Sequence, residues 1–258
     1  MLAVKKLICL YAAFRHSSAS DVYIEHRGGH DWEVLIAGKV EVPARFRQFN
    51  VQSLKFFFDE TPIKYLAIMW LDELNPQTFT FSEGTWPYKI NEVAVPWTSG
   101  KMRSYTSLLF DITSVEFPER KEAVSYSNEK EEVYLDFARV EIFLPESAFT
   151  KLESAIKSRI KDPLADLIDC QRIIPLKDHL PKFLFTNPNS DAILFTLSGP
   201  NYFVRESKTE CKFVVQLSEK KRWVIGAALT KTHMTTFRKV PDDETFAHGF
   251  VKIETLIH

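Results

Sequence analysis

The chain has 258 residues, of which 45% are hydrophobic, 13% aromatic and 26% charged. A chain of this length can bury a core without a disulfide or a structural metal, and its aromatic content excludes intrinsic disorder. Its formal net charge of −1 gives the molecule as a whole no electrostatic reason to seek nucleic acid or anionic lipid.

At the start of the chain, Leu7, Leu10, Tyr11 and Phe14 fall on one helical face, which predicts a helix over 3–15. The same stretch follows Lys5-Lys6 and precedes Ser18-Ala19-Ser20, the layout of a secretory signal. The apolar run is short and is interrupted by Arg15 and His16, so a first core element is the expected reading.

Next comes the polar cluster Glu25 to Glu33, with Gly28-Gly29 at its centre. Two glycines oppose a helix and suit a two-residue hairpin turn. That turn would set His26 opposite Asp31 and Arg27 opposite His30. His26, Asp31 and Glu33 would then share one face, a conceivable half-site for a divalent ion. A solvated hairpin tip with a cross-strand His–Asp pair is the plainer reading.

Strands follow over 32–42, 63–71, 78–81, 88–95, 104–112 and 133–144, each rich in β-branched and aromatic residues. Residues 44–58 are ambiguous. Between Asp111 and Asp136 the chain carries a net charge of −5. Asp111 with Glu119 and Lys121 has the residue types that hold Mg or Mn and orient a water in nucleases. Pro118 and the polar stretch around it make an acidic surface connection the expected reading instead.

Residues 145–160 read as the best helix, with Pro145 at the first turn and Phe149, Leu152, Ile156 and Ile160 on one stripe. Residues 164–170 suggest a second, short helix. Pro163, Pro175, Pro181 and Pro188 then crowd the stretch 162–191, which is expected to connect a larger β-rich part (1–161) with a compact β-rich part (192–258). A single large domain is the alternative.

The C-terminal part predicts strands over 192–197, 212–217, 222–229 and 250–257. His233 and Thr235 would point the same way in a strand, as an H-x-T phosphoesterase requires, but such chemistry needs a second motif. Only His16-Ser17-Ser18 offers one. Between Lys208 and Lys239 the net charge is +6. Lys220, Lys221, Arg222 and Trp223, then Lys231, His233, Phe237, Arg238 and Lys239, interleave cations with rings. Phosphates want the cations and unstacked bases want the rings. A lysine-protected sheet edge with Trp223 in the core is the plainer account.

The eight glycines form no phosphate-binding loop, and no nucleophile elbow or H-E-x-x-H is present. Cys9, Cys170 and Cys211 make no C-x-x-C pair, which fits a reducing, cytoplasmic setting. No apolar run reaches the roughly 18–20 residues of a membrane helix. The expected fold is α+β and β-dominated, with mainly antiparallel sheets or a sandwich and a few packed helices. The expected function is non-catalytic binding of a protein or nucleic-acid partner, away from membranes and without a cofactor. A Mg- or Mn-dependent phosphodiesterase or nuclease and a structural assembly component are the alternatives.

Overall fold

The computed structural model describes residues 21–26, 32–37, 59, 64–69, 78–82, 90–96, 106–115, 123–125, 131–137, 139–158, 167–173, 175–176, 179–187, 192–240 and 245–253. The expected helix at 3–15 and the ambiguous 44–58 lie outside these residues. The described part is α+β and strand-dominated, with mainly antiparallel pairing. No described helix is long and apolar enough to cross a membrane.

The chain forms two compact units, residues 1–106 with 230–258, and residues 107–229. The proline-rich stretch 162–191 lies within the second of these units. Proline does not prevent regular structure there. Pro175 occupies a turn, and Pro181 immediately precedes a strand.

In the first unit, β1 (Asp21–His26) pairs antiparallel with β2 (Trp32–Ala37). A five-stranded antiparallel sheet has the order β4-β3-β17-β18-β5. Its strands are β3 (Tyr65–Met69), β4 (Thr78–Ser82), β5 (Asn91–Pro96), β17 (His233–Lys239) and β18 (Thr245–Lys252). Alternation alone does not explain β17 and β18, because His233 to Phe237 and Phe246 to Val251 are buried without interruption. Such runs belong to central strands covered on both faces.

The second unit has a larger mixed sheet, ordered β12-β11-β6-β8-β16-β9-β15, with β7 beside β6. These are β6 (Thr106–Val115), β7 (Ala123–Ser125), β8 (Glu131–Leu135), β9 (Ile142–Leu144), β11 (Lys182–Thr186), β12 (Ile193–Leu197), β15 (Val215–Leu217) and β16 (Trp223–Ile225). β16 lies between β8 and β9, parallel to β8 and antiparallel to β9. The single strand expected over 133–144 is thus two, separated by a crossing segment. A second sheet joins β10 (Ile168–Asp169), β14 (Glu210–Phe213) and β13 (Phe203–Arg205).

Helix α1 (Glu146–Lys157) buries Ala148, Leu152, Ala155 and Ile156. Pro145 caps it one position earlier than expected, and Phe149 is only half-buried, so the buried stripe is turned from the one read in sequence. Glu146 and Lys157 sit at the ends whose partial charges they oppose. Helix α2 (Cys170–Ile173) and helix α3 (Gly199–Tyr202) are single turns. Ser198 and Asn201 close α3 in a reciprocal capping box.

Candidate functional site

Among the described residues no three His, Cys, Asp or Glu side chains gather to hold a metal ion. The β1–β2 register differs from the expected hairpin. His26 stands opposite Trp32 and Glu25 opposite Glu33, so the connection spans five residues and not two. Positions 26 and 33 fall on opposite faces of the pair, and Asp31 lies outside the described residues. In the other acidic candidate, Asp111 is a β6 position opposite Thr186, while Glu119 and Lys121 lie outside the described residues, as does His16.

His233 is buried in β17, with Nδ1 2.9 Å from Thr232 Oγ1. Thr235 is directed to a different histidine, its Oγ1 lying 2.7 Å from His248 Nε2. His248 is fully buried, and the loss of solvation lowers its pKa to about 3. It is neutral at physiological pH and serves the core of its sheet.

The basic and aromatic candidates divide between the two units. In the first unit, Lys231 is half-buried and Phe237 is completely buried. Arg238 faces Glu92 through a two-pronged contact, Nε to Oε1 at 3.1 Å and Nη2 to Oε2 at 2.5 Å. Hydrogen bonding to that carboxylate raises the guanidinium pKa further. Lys239 Nζ lies 2.8 Å from Asp59 Oδ1. Two of the cations offered by the sequence are therefore committed to carboxylates of their own unit.

In the second unit, Trp223 is completely buried, and its Nε1 donates to Glu131 Oε2 at 2.6 Å. Rings at Trp223 and Phe237 that are buried to this degree present no face for a base to stack on. The cations beside Trp223 are placed differently. Residues 218–222 form a tight turn between β15 and β16. Ser218 N donates to Leu144 O at 2.8 Å, Lys221 N donates to Ser218 O at 3.2 Å, and Arg222 N donates to Ser218 Oγ at 3.3 Å. Ser218 thus pins the turn to β9 and closes it at both ends.

Lys221 has φ 53°, the only positive φ at a non-glycine position among the described residues. Lys220 and Lys221 are exposed and form no ion pair with another described residue. The Arg222 guanidinium lies 4.2 Å from the centroid of the Tyr134 ring. The Tyr134 hydroxyl donates to Glu132, and that bond, with burial, raises its pKa. Arg222 is thereby tethered at the base of the turn by an attraction that does not neutralise it.

Neither protein-family models nor curated proteins match this chain.

One polar centre escaped the sequence reading. Asp136 is 3% exposed and stands where β8 ends, with Oδ2 2.7 Å from Arg139 Nε. Its signal is faint, an aspartate among apolar residues three positions before an arginine. Segment 139–141 crosses the end of β16, where Ala227 N donates to Arg139 O at 2.7 Å and Ala228 N to Val140 O at 3.2 Å.

Proposed function

We propose that this chain is a non-catalytic binding protein that contacts an acidic partner, protein or nucleic acid, through the turn Lys220-Lys221-Arg222. The observation that carries the reading is Lys221. A left-handed backbone at a residue bearing a Cβ costs about 1 kcal/mol, and here it falls in the middle of three consecutive cations. Glycine would hold the same turn without strain. What lysine supplies, and glycine lacks, is a charge at a fixed place.

Recognition on this reading is by charge, because the neighbouring ring of Trp223 is turned into the core. Binding should weaken steeply with added salt. The compartment is less one-sided. The cytoplasm suits three cysteines without a C-x-x-C pair, while the buried disulfide between two of them argues the other way.

The test is titration of the full chain, and of its Lys220→Glu/Lys221→Glu variant, with a poly-glutamate peptide and with a single-stranded oligonucleotide. The reading expects one of the two to bind, with the variant at least tenfold weaker. Equal affinity in chain and variant for whichever probe binds would remove the turn from consideration.

A further inference from the structure

Cys170 and Cys211 form a disulfide across 41 positions of the chain, with their Cα atoms 5.1 Å apart. Both residues are buried, at 2% and 8% exposure. Cys170 begins α2 and directly follows β10, a strand of only two residues. β10 pairs with β14 through Ile168 opposite Cys211 and Asp169 opposite Glu210, and Cys170 N donates to Thr209 O at 2.8 Å. Two strand positions and a single helical turn cannot hold a corner by themselves. Gln171 and Arg172 are exposed, and among the described residues of the corner Ile168 and Ile173 are the other buried side chains. The covalent bond ties this corner to β14.

From this geometry we infer that the chain matures in an oxidising compartment and that the bridge is a redox-sensitive clamp on the unit formed by 107–229. The clamp closes by exchange with a disulfide donor such as an oxidised dithiol protein. One cysteine thiolate attacks the donor disulfide and expels a donor thiolate. The second cysteine thiolate then displaces the remaining donor sulfur. The two cysteines lose two electrons, the donor gains them, and the protons of the two cysteine thiols finish on the two donor thiols. Cytosolic glutathione would drive the reverse reaction whenever the corner opens.

The experiment has two arms, both on the full chain. In the first, protein from the cells that make it is alkylated at lysis, digested and weighed. A peptide pair joined through Cys170 and Cys211 is expected; both cysteines alkylated without prior reduction would overturn the inference. In the second, folded, bridged protein is treated with dithiothreitol and probed by limited proteolysis. Cleavage within 107–229 should accelerate about a hundredfold, with 230–253 affected far less. An unchanged rate under complete reduction, verified by the appearance of two new thiols, would show that the bond clamps nothing. Because the linked chain is folded before reduction, failure to fold cannot imitate either outcome.

Discussion

The imidazole of His248 stacks on the ring of Phe237, its partner across β17 and β18, at 4.3 Å between centroids and 28° between planes. Phe250 takes a second position against it at 4.6 Å. A histidine between two phenylalanines, fully buried, is a neutral aromatic that happens to be titratable. Its pKa is near 3 in the fold and near 6.5 when the chain unfolds. Between these values the unfolded chain binds the extra proton, so stability rises with pH. Above pH 6.5 this group adds no pH dependence. Below it, stability should fall by up to about 1.4 kcal/mol per pH unit until pH 3. Urea unfolding of the wild type and of His248→Leu between pH 7 and pH 4 checks this. The variant should lose stability less steeply, by nearly one proton's slope; parallel slopes would show that His248 is not buried neutral.

Gly226 meets three backbone carbonyls. A Cβ at this position would lie 2.2 Å from Glu141 O, 2.6 Å from Arg139 O and 2.8 Å from Val140 O. Backbone cannot step aside as a flexible side chain can, so Gly226→Ala must displace segment 139–141 or β16. A loss of about 3 kcal/mol or more is expected in the 107–229 unit, read by chemical unfolding. A loss below about 1 kcal/mol would mean that the crossing segment does not approach this closely.

Trp223 joins apolar and polar anchoring in one side chain. Phe183 and Phe185 meet it edge to face at 5.2 and 5.3 Å, and Glu131 accepts from its Nε1. Trp223→Phe removes the donor and leaves a void, and should cost about 2–4 kcal/mol. Glu131→Gln keeps an acceptor oxygen for the indole and should cost less than half as much. Thermal unfolding of the two variants separates the ring from the charge of its acceptor; equal losses would assign the effect to the Glu131 carboxylate and contradict the anchoring role of the ring.

The strand-rich character of the fold was legible because β-branched and aromatic residues mark β3, β4, β5, β6 and β12 directly. β17 was not. Its lysine, arginine and histidine read as a basic surface, whereas Arg238 and Lys239 are balanced by Glu92 and Asp59, residues far away in sequence. The break between β8 and β9 was hidden for a similar reason. Asp136 and Arg139 interrupt an apolar run that a local reading joins together, and only the position of β16 between the two strands shows why a crossing is needed. Cys170 and Cys211 carry no spacing signal, because 41 positions of intervening chain give no hint of adjacency. At the candidate site the cations were visible from composition, but not their commitments. Lys220 and Lys221 stand in solvent, Arg222 lies over Tyr134, and Trp223 turns inward.

The most direct test of the proposed binding turn is the salt-dependent affinity of Lys221→Gly for whichever acidic probe the wild type binds. Glycine relieves the left-handed strain and keeps the fold, so unfolding midpoints should match within about 0.5 kcal/mol. Affinity should nevertheless fall about fivefold, and the slope of log affinity against log salt should shrink by close to one ion. An unchanged affinity and salt slope in a stable variant would contradict the account.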